Sequence, residues 1–134
     1  MAKNIAIVAT SFHEEYMKLM IDDAKKTAQE EGLSIVKEVW VPGCYEIPLT
    51  LKALFALDNI DGAVILGIIE KGKTKHGMVM GIVVHDAIMR LELETGKPVG
   101  LGILGPEILP KQIPSRLKTY AKRSVMALKA MLTT

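Results

Sequence analysis

Cysteine and aromatic residues are scarce in this sequence, and each scarcity excludes a class of protein. The single cysteine, Cys44, cannot form an internal disulfide, and it excludes a cysteine-rich metal site of the zinc-finger kind. Only two phenylalanines, three tyrosines and one tryptophan are present, so the core has to be aliphatic. A reducing compartment suits such a chain, and we expect it to be cytoplasmic.

A strong excess of charge and a long apolar run are also lacking. Lys and Arg number 17 against 15 Asp and Glu, and they are spread along the chain, whereas nucleic-acid binding needs a basic stripe. The apolar run near the N-terminus is too short for a secretory signal or a membrane span, so neither nucleic acid nor membrane is an expected partner. With 134 residues, 49% of them hydrophobic, we expect one globular domain over residues 1–134.

What the sequence does contain is a regular alternation of short apolar runs and amphipathic segments. The apolar runs predict strands at residues 4–9, 34–41, 62–69 and 99–104. Helical spacing follows each run, between residues 17 and 28, over 46–57, from after residue 75 to about 94, and over 111–132 with an interruption near Pro114. The segment GPEILP, residues 105–110, is expected to be a loop.

Alternation of this kind predicts an α/β fold, because parallel strands need crossover connections that are usually helices. We expect a flavodoxin-like three-layer sandwich, with a four-stranded parallel sheet of order 2-1-3-4 and helices on both faces. Ligands of such folds bind beyond the carboxyl ends of the strands, where the strand order reverses. The loops at residues 10–12 and 70–76 should therefore lie side by side.

The third predicted helix lacks the polar face of an ordinary surface helix. Its segment MVMGIVV, residues 78–84, is apolar almost all round. Either the helix is sunk in its own core or its second apolar face meets another subunit. A domain of this size has little room for a fully buried helix, so we favour a subunit interface.

The segment GIIEKGKTKH, residues 67–76, joins the end of a buried strand to the start of that helix. Backbone N–H groups at a helix N-terminus carry partial positive charge, so a phosphate fits against the Lys73 and Thr74 amides and the Thr74 hydroxyl. The same field acts on His76 and favours the neutral imidazole of a base. An ordinary helix cap at Thr74 with solvated lysines explains the same pattern and is the more common case.

The segment VPGCYEIP, residues 41–48, places a Pro-Gly turn before the second helix. Glu46 then comes at the helix start with Tyr45 beside it. Exposed backbone groups and an aromatic wall can hold a planar polar ligand. A plain turn with a helix cap, in which the helix dipole favours Glu46, is equally tenable.

A dinucleotide-binding site and a metal site can both be excluded from the positions of their candidate residues. GLGILG, residues 100–105, matches GxGxxG, but it lies in the last strand and Pro106 stands where a helix should open, so we expect no nucleotide cofactor. These glycines are expected to permit close packing. The histidines lack metal-ligand spacing, since His76 and His85 would point to opposite faces of one helix, and we expect no metal site.

The two motifs VPGCYEIP and GxxxxGxTxH, in this order and after the second and third strands, resemble those of the lumazine synthase family. The resemblance runs the full chain and looks closest to the short archaeal form. It includes Phe12 after the first strand, VVHDA in the third helix, KPVGLGI in the fourth strand and the basic C-terminal helix.

This resemblance implies a transferase of riboflavin biosynthesis. Such enzymes condense 5-amino-6-ribitylamino-2,4-pyrimidinedione with 3,4-dihydroxy-2-butanone 4-phosphate, giving 6,7-dimethyl-8-ribityllumazine, phosphate and water, without a metal or organic cofactor. It also implies a homo-oligomer, either a pentamer or an icosahedral shell built from pentamers, with active sites shared between neighbouring subunits.

The resemblance also implies roles for particular residues. Phe12 would stack on the pyrimidine ring, and residues 68–70 would meet the ring edge. Those assigned to substrate binding are Phe12, Cys44, Tyr45, Glu46, Ile68, Ile69, Glu70, Lys73, Thr74 and Leu101, of which the three from the turn hold the ribityl chain and Lys73 and Thr74 receive the phosphate. His76 would move protons, and Arg116 of the adjacent subunit would pair with the phosphate.

This chain departs from the usual family pattern at several of these positions. Gly77 and Met78 follow His76 where an acidic or aromatic residue is usual. Glu70 stands at a position that is usually apolar, Lys73 at one that is usually Glu or Ala, and Leu101 at one where an aromatic residue often stacks across the subunit boundary.

Three other functions are conceivable for a chain of this fold. The archaeal type of riboflavin synthase shares the fold and the VPG turn, but it lacks the histidine that here stands at His76. A phosphorylatable receiver needs acidic residues after its first strand and an aspartate after its third, whereas Thr10, Ser11 and Glu70 occupy those places. A non-catalytic subunit of a ring or shell stays open.

Overall fold

Strands and helices alternate along the chain in the computed structural model, which describes residues 2–134. The elements are β1 (Asn4–Thr10), α1 (Glu14–Glu30), β2 (Ser34–Val41), α2 (Ile47–Phe55), β3 (Gly62–Glu70), α3 (His76–Thr95), β4 (Val99–Ile108) and α4 (Leu117–Leu132). Single turns of 3-10 helix precede α2 and α4, at Cys44–Glu46, Pro110–Gln112 and Pro114–Arg116.

The four strands form one parallel sheet in the order β2-β1-β3-β4. This order confirms the predicted flavodoxin-like fold. The chain moves outward from β1 to β2 and then crosses back to β3 on the other side of β1. The reversal point therefore lies between the carboxyl ends of β1 and β3, where a crevice is expected.

The apolar sequence of β1 packs both faces of this sheet at once. Ile5 and Ile7 point into a core formed with α1 and α4, whereas Ala6 and Val8 point into a second core formed with α2 and α3. All four residues are fully buried. A near-continuous apolar run is what a central parallel strand covered on both sides requires, because its side chains alternate between the two faces.

The predicted loop at residues 105–110 is wrong over most of its length, since β4 continues to Ile108. Pairing with β3 shifts register between Ile68 and Glu70 and then resumes at Ile108, whose carbonyl also accepts the Lys71 N–H at 2.8 Å. An edge strand tolerates proline and an irregularity in the ladder, so Pro106 does not end it.

Two helix boundaries also differ from the sequence-based prediction. The second helix begins at Ile47, because residues 44–46 adopt the tighter 3-10 turn. It ends at Phe55. The last helix begins at Leu117, and the residues from 110 to 116 form two short 3-10 turns around Pro114. The interruption predicted near Pro114 is confirmed, since proline cannot donate a backbone hydrogen bond.

The glycines of GLGILG serve packing, as expected from their context. A Cβ atom built on Gly100 would lie 2.0 Å from the carbonyl oxygen of Ser124 in α4. Glycine therefore lets α4 approach β4 at backbone distance. The segment lies inside the sheet and opens no helix, which agrees with the rejection of a dinucleotide fingerprint.

Helix α3 has only one narrow buried face, formed by Gly77, Gly81, Val84 and Ile88. Its apolar residues Val79, Ile82 and Val83 are 53%, 62% and 51% exposed, so the helix is not sunk in its own core. This chain therefore exposes an apolar face along α3. Across residues 2–134, α3 and the other helices are too short or too polar to cross a membrane.

Candidate active site

One pocket of about 490 Å³ opens at the carboxyl ends of β1 and β3, the predicted position. It brings together the β1–α1 loop, the turn at residues 42–46, the end of β3 and the start of α3. Its lining residues are Phe12, Pro42, Gly43, Cys44, Tyr45, Glu46, Ile68, Ile69, Glu70, Gly72, Thr74, His76, Gly77 and Met80. Nine of the predicted site residues are in this set.

The turn at residues 42–46 forms one wall and is tied firmly to the core. The Ser11 N–H donates to the Val41 carbonyl at 2.8 Å, which joins this end of β2 to the loop after β1. Cys44 is only 2% exposed and packs in the core beneath α2 and α3. Burial, with a smaller contribution from the nearby Glu46 carboxylate, raises the pKa of the Cys44 thiol to about 12. The thiol is thus a neutral packing group.

The loop at residues 71–76 forms the opposite wall and has a different character. All of its residues are exposed, three of them lysines, and α3 begins at His76. The His76 N–H donates to the Thr74 hydroxyl oxygen at 3.3 Å, so Thr74 caps this amide from two residues before it. The Thr74 hydroxyl keeps its own hydrogen for a further acceptor, as an anion at this helix start requires.

The His76 ring meets the turn from across the pocket. Its centroid lies 6.0 Å from that of Tyr45, and the planes meet edge to face at 64°. Aromatic rings favour this geometry because the positive edge of one faces the negative face of the other. Gly77 and Met78 have no side chain that could orient His76 as an acidic or aromatic residue would. The Tyr45 ring of the turn orients it instead.

Five lining residues were not among those predicted: Pro42, Gly43, Gly72, Gly77 and Met80. Gly77 is informative, because a Cβ atom there would lie 3.2 Å from the Glu70 carbonyl oxygen and from Ile69 Cγ2. The start of α3 thus packs directly on the end of β3. A glycine directly after the motif histidine was the available signal. Met80, one helical turn after His76, could have been found from its spacing.

The end of β3 contributes buried side chains and one charged group. Ile68 and Ile69 are 2% and 1% exposed and belong to the cores on opposite faces of the sheet, so the part of β3 that lines the pocket is apolar. Glu70 is the last residue of the strand, and its carboxylate oxygen Oε1 lies 2.9 Å from His13 Nε2. Phe12, half-exposed, stands on the neighbouring loop, so the predicted closeness of the two loops is confirmed.

Comparison with known proteins agrees with this geometry. A family model described as 6,7-dimethyl-8-ribityllumazine synthase matches residues 2–134. The chain belongs to this lumazine synthase family. Curated lumazine synthases of Staphylothermus marinus and Methanopyrus kandleri are each 38% identical to it, covering 96% and 92% of this chain and 85% and 86% of their own lengths. That of Pyrobaculum arsenaticum is 37% identical over 92% of this chain and 82% of its own.

The family expected from the two sequence motifs is thereby confirmed, as is the assignment of the chain as an enzyme, a transferase of riboflavin biosynthesis. The match also favours lumazine synthase over the archaeal type of riboflavin synthase. Membership rests on nearly the whole chain and not on the motifs alone.

Three residues assigned from the lumazine synthase resemblance do not line this pocket: Lys73, Leu101 and Arg116. Lys73 is exposed and lies in the loop between the lining residues Gly72 and Thr74. Leu101 packs against the core next to α2 and α3. Arg116 donates to the Gln112 carbonyl at 2.9 Å, one turn before α4.

The histidines have separate surroundings. His13 contacts Glu70, His76 contacts Tyr45, and the His85 Nδ1 lies 2.6 Å from the Gly81 carbonyl oxygen. Within residues 2–134, no three His, Cys, Asp or Glu side chains lie close enough to hold a metal ion.

Proposed function

We propose that this chain condenses 5-amino-6-ribitylamino-2,4-pyrimidinedione with 3,4-dihydroxy-2-butanone 4-phosphate, giving 6,7-dimethyl-8-ribityllumazine, phosphate and water. The observation that carries this proposal is the single pocket in which the turn at residues 42–46 faces the helix start at Thr74 and His76. One wall suits a planar ring with a polyol chain, and the other suits an anion.

The substrates carry their own reactive groups, so the protein has to bind, orient and move protons. The pyrimidine amine attacks the ketone carbon and water leaves, giving an imine. The imine tautomerises to an enamine, which expels the phosphate, and the enol left behind becomes a ketone. The second amine attacks this ketone and a second water leaves, which closes the ring. His76, exposed at the pocket edge and steadied by Tyr45, supplies and accepts protons in these steps.

Much of the acceleration should come from holding the two molecules together. Phe12 and the turn bind the ring and its ribityl chain, while the Lys73 and Thr74 amides and the Thr74 hydroxyl bind the phosphate. Because both substrates are bound side by side, the reaction between them no longer carries the entropy cost of a bimolecular encounter. His76 is therefore expected to contribute about a hundredfold to ten-thousandfold to the rate, without being indispensable.

We also propose that the active unit is a ring of five copies or a shell of such rings. The open apolar face of α3 at Val79, Ile82 and Val83 supports a subunit contact. The location of Leu101 and Arg116 outside the pocket of their own chain supports a role in a neighbouring copy's site. Native mass spectrometry tests this, and a monomeric active protein would contradict it.

The cytoplasmic location expected from the sequence belongs to this proposal. Cys44 is free and buried, as a thiol in a reducing compartment can remain. Cell fractionation with detection of the protein in the cytosolic fraction is the test.

The direct experiment mixes the purified protein with both substrates and follows lumazine absorbance against the uncatalysed background. His76→Ala and Arg116→Ala should each slow the reaction, whereas Lys118→Ala, an exposed cation two residues beyond Arg116, should not. A folded ring that gives no acceleration would overturn the enzymatic proposal and leave a non-catalytic ring subunit.

A further inference from the structure

A hydrogen-bonded pair of side chains joins the loop after β1 to the last residue of β3 beside the pocket. His13 Nε2 lies 2.9 Å from Glu70 Oε1, and the side chains are 28% and 27% exposed. The two residues are 57 positions apart in the chain. His13 directly follows the ring of Phe12, and Glu70 lines the pocket itself.

His13 is held in an unusual conformation. Its backbone is left-handed, with φ 60° and ψ 53°, which a side chain with a Cβ seldom adopts. Its ring packs between Phe12, with centroids 4.3 Å apart, and Tyr16, at 5.7 Å. A strained residue persists where its surroundings fix it, and strain of this kind gathers at functional sites.

The hydrogen bond leaves half of the Glu70 carboxylate available. An ionised carboxylate only accepts, so His13 Nε2 carries the shared hydrogen. Among residues 2–134, Oε2 of Glu70 has no hydrogen-bond partner, and the adjacent Lys71 extends instead toward Glu107 at 3.6 Å. The pocket therefore has an acceptor whose direction His13 controls.

We propose that His13 is a positioning residue that holds Glu70, and that Glu70 is a specificity-determining residue accepting an N–H of the nitrogen-rich substrate. This inference rests on the proposed function and deepens it. The pyrimidinedione offers several N–H donors, whereas the butanone phosphate offers none and is anionic. A fixed carboxylate thus attracts one substrate and disfavours the other, which sends the phosphate to the helix start at Thr74.

The test measures KM separately for the two substrates in Glu70→Leu, His13→Asn and the double variant. Asparagine suits the left-handed backbone, but it is too short to keep the bond to Glu70. Glu70→Leu should raise the KM for the pyrimidine about tenfold or more, as expected for a lost hydrogen bond to a charged group. The KM for the butanone phosphate and the melting temperature should stay close to wild type.

His13→Asn should also raise the KM for the pyrimidine, and it should have no additional effect on that KM in the Glu70→Leu background. Glu107→Gln is the matched control, because it removes a charge beside Lys71 outside the pocket. The proposal is overturned if the pyrimidine KM of Glu70→Leu stays within about twofold of wild type, if both KM values rise together, or if His13→Asn acts fully in the double variant.

A failure of the proposed function is distinguishable from a failure of this pair. If wild type does not turn over the substrates, calorimetric titration of wild type and Glu70→Leu with the pyrimidine alone still tests the pair. Tighter binding to wild type supports the pair, and equal binding or no binding overturns it.

Discussion

The two walls of the pocket are built in opposite ways. The turn at residues 42–46 is anchored by a buried thiol and lies against the sheet, whereas the loop at residues 71–76 is exposed throughout and carries three lysines. The buried side chain of Cys44 fixes the first wall, although Pro42, Tyr45 and Glu46 of the same turn are exposed. Exposure leaves the second wall with few buried contacts, and such loops move more readily than packed segments.

The buried thiol of the first wall gives the largest expected effect. Because burial raises the pKa of Cys44 to about 12 from an ordinary 9.0, the thiolate is about a thousandfold scarcer at pH 8 than in an exposed cysteine. Alkylation of the native protein by iodoacetamide at pH 8 should therefore be slower than in urea by at least this factor. Equal alkylation rates in the native protein and in urea would contradict the burial of the Cys44 thiol.

The same pKa shift has a consequence for stability. A thiol whose pKa is raised by folding holds its proton more tightly in the native state. Its contribution to the free energy of unfolding is therefore fully present below pH 9. The unfolded chain gains by ionising above that value, and stability should decline between pH 9 and 12. Cys44→Ala should lack this part of the alkaline decline in urea titrations at each pH.

The exposed wall is tested by Thr74→Val. The change removes the hydroxyl proposed to meet the phosphate and the acceptor of the His76 N–H. We expect the KM for the butanone phosphate to rise about tenfold or more, with little change for the pyrimidine or in the melting temperature.

Thr95→Val is the matched control for Thr74→Val. Its hydroxyl accepts the Lys97 N–H at 3.2 Å at the other end of the same helix, far along the chain from the pocket residues. A rise in the phosphate KM of equal size in both variants would assign the effect to helix-end hydrogen bonding and not to the anion site.

Periodicity, together with the topology rules of parallel sheets, is enough to predict the strand order and the end of the sheet at which the pocket lies. Apolar runs and helical spacing depend on neighbours in sequence, so β1 and the loop before His76 are recognisable in the chain itself. The family resemblance then assigned chemistry to segments that local reasoning left open between a cap and a site.

Contacts between distant residues were not predictable in this way. Nothing near His13 indicates Glu70, because their hydrogen bond depends on a left-handed backbone and on the bend at the end of β3. The continuation of β4 past Pro106 depends on pairing with β3, which overrides the local turn signal. Lys73 lies outside the lining although Gly72 and Thr74 on either side of it are part of it, and sequence spacing alone does not separate such neighbours.

The contact between the walls gives the smallest expected effect. Tyr45 of the turn at residues 42–46 meets His76 at the start of α3, and an edge-to-face pair contributes about 0.5–1.5 kcal/mol. Tyr45→Leu should therefore lower kcat by about threefold to tenfold through a less well-oriented imidazole. Tyr45→Phe keeps the ring and should retain the wild-type kcat, although its KM for the pyrimidine can rise through the lost hydroxyl. If Leu and Phe lower kcat equally, the hydroxyl and not the ring acts on His76, and the two walls are coupled through hydrogen bonding instead of packing.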